Sequence, residues 1–332
     1  MREPDAPPMV EARNLVKHFP LPRRRLFEPR SIVHAVDGVS FHVNQGETFG
    51  LVGESGCGKT TVGKLLLYLE PLTDGNLNIA GHEIADLSES QERAFRRDVQ
   101  AVFQDPYGSL NPRHKVLEVI GEPLQVQEHL SGRAIRDRVR ELLALVGLPA
   151  GAEDLYPHEF SGGQRQRIAI ARAISVRPRF IVLDEAVSAL DVSIRAQVLN
   201  LLRDLQDEFD LTYLFIAHDL AVVEFMSDRI AVMYLGKIVE TGKAQDIYRN
   251  ARHPYTQALL RAAMSTTRPG NANDGLSIEG EVPSPINPPS GCRFRTRCPF
   301  AKPRCNEEEP FLADLSASHA VACHFHEEIA AR

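Results

Sequence analysis

The chain has 332 residues, of which 43% are hydrophobic and 25% charged, and its formal net charge is −6. This composition is typical of a globular protein with one large or two medium-sized domains. A net negative charge argues against broad, sequence-independent binding of nucleic acid, which requires a positive surface. No apolar run approaches the roughly 20 residues of a membrane-spanning helix, and the N-terminal segment lacks the apolar core of a signal peptide. We therefore expect a cytosolic chain that does not itself span a membrane.

The first hundred residues alternate short apolar segments with turn residues. Alternation of apolar and polar side chains between bounding glycines predicts strands, and a spacing of three and four residues predicts a helix. The predicted elements are strands at 9–19, 34–46, 47–53 and 75–81 and a helix at 59–69, with a turn at Asn44-Gln45-Gly46.

The rest of the chain changes character twice. Residues 115–175 are rich in Leu, Ala, Arg and Glu at helical spacing, which predicts a helical insertion. Strands and helices then alternate, which predicts a parallel sheet with crossover helices. Beyond residue 265, the prolines of 282–290 predict an extended segment. The alternating elements are predicted strands at 180–184, 212–218 and 229–236, a helix at 193–209 and a short helix after 218.

A glycine-rich loop joins the strand at 47–53 to the helix at 59–69. Its sequence, Gly53-Glu54-Ser55-Gly56-Cys57-Gly58-Lys59-Thr60, fits G-x-x-x-x-G-K-[ST] without a mismatch. Glycines let successive backbone N–H groups face phosphate oxygens at the positive end of the following helix. Lys59 supplies a charge for the β- and γ-phosphates, and Thr60 a hydroxyl for Mg²⁺. The loop therefore predicts a nucleotide site, in which Cys57 serves through its backbone and not as a nucleophile.

The second motif is a pair of acidic residues at the end of the apolar strand at 180–184. Asp184 can hold Mg²⁺ directly or through water, and Glu185 can polarise a water for attack on the γ-phosphate. Taken alone, an apolar strand that ends in two carboxylates is usually structural. Together with the glycine-rich loop, it predicts a nucleotide hydrolase.

A third motif, Ser161-Gly162-Gly163-Gln164, precedes a predicted helix. Ser161 is a favourable N-cap, and the glycines expose backbone donors to an anion. The simplest interpretation is a capped helix start. Because the glycine-rich loop already cradles one nucleotide, a second anion-binding helix start suits a nucleotide that another subunit holds.

In this order the motifs resemble those of the ATP-binding cassette (ABC) ATPases, over about residues 9–265. The resemblance identifies Walker A with Gly53–Thr61, whose last two residues are Thr60 and Thr61. It identifies the signature with Ser161–Gln164, Walker B with Asp184 and the catalytic glutamate with Glu185. Taken singly, a glutamine or a histidine after an apolar strand would more often be structural. The other implied roles are the Q-loop glutamine for Gln104, the D-loop for Ser188-Ala189-Leu190-Asp191, the switch histidine for His218 and adenine stacking for Phe19.

The ABC resemblance also implies a fold and an assembly. The fold is α/β: a P-loop NTPase cassette with a RecA-like parallel-sheet core, an antiparallel β subdomain and a helical subdomain. In the head-to-tail dimer that the resemblance implies, six residues of this chain would act on one ATP: Lys59, Thr60, Gln104, Asp184, Glu185 and His218. Three of them, Thr60, Gln104 and Asp184, would hold Mg²⁺. Ser161 and Gly163 would contact the other ATP, and Asp191 would contact the partner as well as cap the helix that follows it. The implied division is 1–104 for the N-terminal β subdomain and first part of the core, 105–175 for the helical signature subdomain, 176–265 for the second part of the core and 266–332 for a cysteine-containing extension.

The segments at 253–260 and 281–299 resemble the C-terminal extension of oligopeptide and dipeptide importer ATPases. Residues 102–113 and 185–202 also resemble that subgroup, most closely its second, F-type, ATPase subunit. This resemblance implies ATP hydrolysis that energises import of dipeptides and oligopeptides, at the cytoplasmic face of the inner membrane. It implies as partners two membrane permeases, a second ATPase in a heterodimer and an extracytoplasmic binding protein, and no nucleic acid.

Two alternatives to peptide import stay open at this point. The imported solute could be a nickel–chelate complex, glutathione or another peptide-like compound, because the cassette does not touch the solute. A soluble ABC ATPase that acts on ribosomes or DNA is disfavoured, since those usually carry two cassettes or a long coiled-coil insertion, and the net charge here is negative.

Four of the five cysteines lie beyond residue 290, spaced C-x5-C-x6-C-x17-C: Cys292, Cys298, Cys305 and Cys323. In a cytosolic protein such clustering favours a metal site over disulfides. The spacing has no C-x-x-C pair, and four irregularly spaced thiolates suit a [4Fe–4S] cluster, which the family resemblance also implies. Zinc, free thiols and a disulfide stay open as alternatives. Four nearby arginines would offset the charge of a cluster: Arg293, Arg295, Arg297 and Arg304.

Overall fold

A computed structural model describes residues 7–23, 30–85, 87–265 and 280–330. Its strands are β1 (Val10–Pro20), β2 (Ile32–Val43), β3 (Thr48–Val52), β4 (Asp74–Ile79), β5 (His82–Glu83), β6 (Val99–Val102), β7 (Phe180–Asp184), β8 (Thr212–Ala217), β9 (Arg229–Tyr234), β10 (Lys237–Lys243), β11 (Ala313–Ser316) and β12 (His319–Val321). Its α-helices are α1 (Lys59–Leu66), α2 (Glu89–Asp98), α3 (Pro106–Ser109), α4 (Val116–Gln127), α5 (Gly132–Leu145), α6 (Gly162–Ile174), α7 (Val192–Phe209), α8 (Leu220–Met226), α9 (Ala244–Asn250), α10 (Pro254–Ser265), α11 (Arg304–Glu307) and α12 (His326–Ala330). None of the described helices is long and apolar enough to cross a membrane.

Each predicted strand and helix is confirmed, with shifted ends that have local causes. The predicted helix at 59–69 ends at Leu66, because Tyr68 takes a left-handed backbone conformation with φ of 53°. The predicted strand at 229–236 ends at Tyr234, because Leu235 (φ 45°) and Gly236 (φ 83°) turn the chain into β10. Residues 282–290 carry neither helix nor strand, as their prolines predict.

The chain divides into two compact units. We call the first the helical unit: it comprises residues up to Val10, Val43–Glu47 and Asn78–Ile216. We call the second the loop unit: it comprises Glu11–His42, Thr48–Leu77 and the chain from Ala217 onward. The four-part division derived from the family resemblance stays a prediction.

The helical unit places parallel strands under its functional motifs. Strand β7 is buried along its whole length and pairs in parallel with β6 on one side and β8 on the other. Such a run of apolar residues is typical of a strand covered on both faces. The predicted helical insertion contains α4, α5 and α6, whose buried faces are lined by apolar side chains.

The loop unit is built on β3 and β9, which pair in parallel directly before the glycine-rich loop. Strand β9 turns into antiparallel β10, and the tail strands β12 and β11 extend the sheet from β10. In a second sheet of this unit, β1 lies between β2 and β4. The tail is therefore part of the same sheet as the strand that supports the loop.

A buried carboxylate anchors the tail to β10. Glu240 is fully buried and accepts hydrogen bonds from the backbone N–H groups of Arg252 (2.6 Å) and His253 (3.1 Å). Its Oε1 also lies 2.8 Å from Nε2 of His319 on β12. A buried charge is tolerated only when its oxygens are hydrogen-bonded, so these partners fix the start of α10 and the tail strand together.

Candidate nucleotide site and cysteine cavity

The glycine-rich loop packs so closely on neighbouring strands that side chains are excluded at two positions. A Cβ atom on Gly53 (φ 154°) would lie 2.2 Å from the carbonyl oxygen of Met233 on β9. A Cβ atom on Gly58 (φ 112°) would lie 2.2 Å from the carbonyl oxygen of Ala35 on β2. Both conformations also strain residues other than glycine. The loop is thus held between two strands of its own unit.

Lys59, at the first turn of α1, points back into the loop. Its side chain is 5% exposed, and Nζ donates to the carbonyl oxygens of Gly53 (2.7 Å) and Glu54 (3.0 Å). The hydroxyl-bearing residues Ser55 and Thr60 are exposed. The ammonium and the N-terminal end of α1 therefore supply positive charge at one place, as a polyphosphate requires.

Cys57 is buried within this loop. Burial raises the pKa of its thiol, so the neutral form dominates at neutral pH. Its carbonyl oxygen accepts a hydrogen bond of 2.8 Å from the N–H of Gly236. These contacts agree with a backbone role and argue against a nucleophilic thiol.

Glu54 is held by residues from the C-terminal part of the chain. Its two carboxylate oxygens accept from the guanidinium of Arg297 at 2.7 and 3.1 Å, and its backbone N–H donates to Oη of Tyr255 at 2.8 Å. Neither partner is predictable from the sequence, because no local pattern identifies two residues 243 positions apart, as Glu54 and Arg297 are. The one signal for Tyr255 is that segment 253–260 resembles the extension of importer ATPases.

Phe19 lies near the end of β1 and is half-buried, with Nζ of Lys17 4.7 Å from its ring centroid. The neighbouring His18, with His34 and Asp37, forms a compact polar group whose possible ligand atoms lie within 4.8 Å of one another. The guanidinium of Arg293, however, forms an ion pair with the Asp37 carboxylate. Burial by itself would raise the pKa of Asp37, but the charge of Arg293 contributes to lowering that pKa below its ordinary range. Because the one carboxylate of this three-residue group is already paired with the positive charge of Arg293, the group is unfavourable for binding a metal cation.

In the helical unit, the predicted catalytic groups follow two neighbouring parallel strands. Gln104 is exposed two residues after β6, and Glu185 follows β7 directly. Val102 pairs with Leu183, so both residues lie beyond the same edge of the sheet. Asp184, the last residue of β7, is buried. These are positions at which α/β sheets bind ligands.

Glu185 adopts a left-handed backbone conformation with φ of 49°, which is rare for residues other than glycine. Its N–H donates to the carbonyl oxygen of Ile216, and its own carbonyl oxygen accepts from the N–H and hydroxyl of Ser188. Such strain typically costs about 1–3 kcal/mol and persists where surrounding contacts enforce it, often at functional sites.

The third motif begins α6 as predicted. The hydroxyl oxygen of Ser161 accepts from the N–H of Gln164 (3.3 Å), and the Gln164 side chain accepts from the N–H of Ser161 (2.9 Å), which is a capping box. Gly162 lies between them at the first helical position. A Cβ atom on Gly163 would lie 2.3 Å from Cγ2 of Ile194, so this glycine allows α6 to pack on α7.

Two predictions about single residues need correction. Asp191 stands at the N-cap position of α7, but its side chain forms no capping hydrogen bond, so the prediction of a side-chain cap is wrong. His218 is exposed directly after β8, so the alternative of a core histidine is also wrong.

The four tail cysteines line one cavity in the loop unit, together with His253, Phe294 and Phe325 among other residues. All four are free thiols, so the disulfide alternative is wrong. Burial raises the pKa of the Cys292 thiol, and raises the pKa of Cys298 to about 11 and that of Cys323 to about 12. Three thiols that resist ionisation in a shared cavity fit a site that a bound cation would stabilise.

A repeated tripeptide, Cys-x-Phe, shapes this cavity and was missed in the sequence. The backbone N–H groups of Phe294, Phe300 and Phe325 donate to the sulfurs of Cys292, Cys298 and Cys323, each two residues earlier. The three phenylalanine side chains line the cavity as well. Hydrogen bonds to cysteine sulfurs and an apolar lining are features that tune metal–sulfur sites.

The arginines near the cysteines differ from expectation. Arg295 lines the cavity, but the other three are engaged elsewhere. Arg293 pairs with Asp37, Arg297 with Glu54 and Arg304 with Glu308. Only Arg295 is therefore placed to offset charge inside the cavity.

Two family models match different parts of the chain. The ABC transporter family model matches residues 36–188, which include the glycine-rich loop and Glu185. The model for the oligopeptide/dipeptide transporter C-terminal region matches residues 239–305. The second match includes the first three tail cysteines and ends before Cys323.

Several relatives are similar along nearly the whole chain. The oligopeptide transport ATP-binding protein AppF of Bacillus subtilis is 50% identical over 321 residues, which cover 96% of this chain and 97% of that protein. The dipeptide transport ATP-binding protein DppF of Escherichia coli is 47% identical over 316 residues, and these cover 95% and 94%.

A solved structure of the ATP-binding cassette MJ0796, dimeric in a post-hydrolysis state with ADP and Pi, is similar at a TM-score of 0.62. It is 30% identical and covers 71% of this chain and 99% of its own. The similarity establishes the ABC cassette fold for this chain.

We predict that Gly53→Ala abolishes nucleotide binding, because its Cβ atom would collide with the backbone of β9. Gly81→Ala is the matched control: Gly81 also has a positive φ, of 86°, but its Cβ atom would meet nothing within 4 Å. Titration with a fluorescent ATP analogue measures both variants. Binding by Gly53→Ala as tight as that by Gly81→Ala would contradict the prediction, because the loop would then tolerate the close approach to Met233.

Proposed function

This chain belongs to the ABC transporter family, and on that basis we propose that it is the ATP-hydrolysing subunit that energises import of dipeptides and oligopeptides through a membrane permease. The observation that carries the proposal is the presence, in one chain, of an ABC transporter match at 36–188 and an oligopeptide/dipeptide transporter match at 239–305. Relatives about 50% identical over 96% of the chain are named as oligopeptide transport ATP-binding proteins, which supports the same class of solute.

One ATP is bound by the loop unit through backbone N–H groups of the glycine-rich loop and the ammonium of Lys59. We assign Phe19 to the adenine ring, and Thr60, Gln104 and Asp184 to Mg²⁺, which would neutralise phosphate charge. Glu185 acts as general base on the attacking water, and His218 contacts the γ-phosphate. The exposure of Thr60, Gln104 and His218 supports these assignments.

Two cassettes act together, because the start of α6, where Ser161 and Gln164 are exposed, suits an anion that the loop of another subunit would hold. Ser161 and Gly163 serve the ATP of the partner cassette, and Asp191 contacts that cassette. The dimeric state of the similar cassette MJ0796 supports this arrangement. We propose that the partner is a second, homologous ATPase, and that both bind two permeases at the cytoplasmic face of the membrane, with an extracytoplasmic binding protein that delivers the peptide.

The cysteine cavity holds a structural metal centre, which we assign as a [4Fe–4S] cluster on Cys292, Cys298, Cys305 and Cys323. All four cysteines line the one cavity, as four thiolate ligands of a single centre require. The three N–H groups that face the sulfurs of Cys292, Cys298 and Cys323 support an anionic centre.

We predict that Glu185→Gln nearly abolishes ATP hydrolysis while ATP binding is kept, because the amide cannot accept the proton of the attacking water. Glu208→Gln is the control: Glu208 is exposed on α7 in the same unit and has no assigned role. Phosphate release and nucleotide retention are measured on the purified chain with its transporter partners. If Glu185→Gln hydrolyses ATP at the wild-type rate, Glu185 is not the general base.

We predict that anaerobic purification yields a brown protein that contains iron and sulfide, and that Cys298→Ser reduces both. Cys57→Ser is the control, since Cys57 lies in the glycine-rich loop and does not line the cavity. Elemental analysis and the visible spectrum are the measurements. A colourless protein with about one zinc ion per chain would contradict the cluster and support the zinc alternative.

A further inference from the structure

The segment from Cys292 to Cys298 does more than contribute to the cavity, because it also contacts the nucleotide loop. Two of its six side chains after Cys292 are arginines that pair with carboxylates outside the tail: Arg293 with Asp37 and Arg297 with Glu54. The Arg297 side chain is only 6% exposed, and both of its terminal nitrogens donate to Glu54. A buried, bidentate pair of this kind is geometrically specific and stronger than a surface ion pair.

A second connection runs from the cavity to the same loop residue. His253 lines the cavity and is 1% exposed. Its Nδ1 accepts from the backbone N–H of Tyr255 (3.1 Å), and Oη of Tyr255 accepts from the backbone N–H of Glu54 (2.8 Å). Glu54 is thus held through its side chain by Arg297, the neighbour of the cavity residue Cys298, and through its backbone by Tyr255, which is bonded to the cavity residue His253.

The two connections share one packed cluster of aromatic rings. The ring of Phe294, which lines the cavity, lies 5.4 Å from the ring of Tyr255 and 5.2 Å from that of Tyr234. The Arg297 guanidinium in turn lies 5.8 Å from the Tyr234 ring. Because packed rings of this kind do not deform continuously, a change in the cavity wall is transmitted to the residues that hold Glu54.

We propose that Arg297 is a positioning residue through which the cysteine cavity controls ATP binding. With the cavity filled, the Cys292–Cys298 segment holds Arg297 on Glu54, neutralises that carboxylate and fixes the loop. With the cavity empty, the arginine loses its fixed position, and the Glu54 carboxylate repels the polyphosphate that the loop receives. This inference rests on the proposed function in two respects, namely that the loop binds ATP and that the cavity holds a metal centre.

The tail also offers a control that leaves the cavity lining unchanged. Arg304 forms an ion pair with Glu308, to whose carboxylate its Nε donates at 2.7 Å. Both residues belong to the tail, and neither is among the residues that line the cavity. Removing the charge of Arg304 therefore perturbs the tail without changing the cavity lining or the loop.

The test measures the Kd of a fluorescent ATP analogue for the full chain and four variants: Arg297→Gln, Glu54→Gln, the double variant and Arg304→Gln. We expect Arg297→Gln to weaken binding about fivefold or more, a change typical of coupled sites. The double variant should recover most of this loss, because no carboxylate is left unpaired. Arg304→Gln should bind as the wild type does, and metal analysis of Arg297→Gln should show a filled cavity.

Emptying the cavity tests the link itself. Removing the metal with a chelator should weaken ATP binding by the wild type, but should have little further effect on Arg297→Gln. The proposal is overturned if Arg297→Gln binds ATP with wild-type affinity, or if the double variant binds ATP no more tightly than Arg297→Gln. It is also overturned if chelation weakens ATP binding equally in the wild type and in Arg297→Gln, or if the wild-type chain is purified without metal. A wild-type chain that binds no ATP would instead overturn the proposed function.

Discussion

The turn between β9 and β10 is the structural constraint on which the nucleotide site depends. Its Gly236 donates to the carbonyl oxygen of Cys57 in the loop (2.8 Å) and accepts from the N–H of Asp37 on β2 (2.9 Å). The carbonyl oxygen of the preceding Leu235 accepts from Arg293 of the tail. Three segments that are distant in sequence therefore meet at two consecutive residues, and the loop cannot move independently of β2 or the tail.

This arrangement changes how the C-terminal region is understood. The family resemblance implies a cysteine-containing extension over 266–332. In the structure, β12 continues the sheet that supports the loop, and Glu240 ties α10 to that strand. A metal centre in the cavity would then stabilise more than the tail. Because Arg297 and Tyr255, which adjoin residues of the cavity wall, both contact Glu54, the centre would also hold the shape of the nucleotide loop.

The sequence predicted those features that depend on local patterns. The loop from Gly53 to Thr60 was found because close packing and positive φ angles permit only glycine at fixed spacings, and β7 because a strand buried on both faces is continuously apolar. Strand β10 and the pairing of Arg297 with Glu54 were not predicted. Strand β10 follows a two-residue turn that the pattern merged with β9, and no local pattern identifies an ion-pair partner 243 residues away.

The transport assignment is tested most directly by purifying the tagged chain from detergent-solubilised membranes and measuring ATP hydrolysis with and without peptide. We expect two permeases and a second cassette to copurify, and peptide presented by the binding protein to stimulate hydrolysis by the complex. Recovery of the chain without membrane partners, or with ribosomes or DNA, would contradict peptide import. The ATP-binding chemistry of the loop would remain.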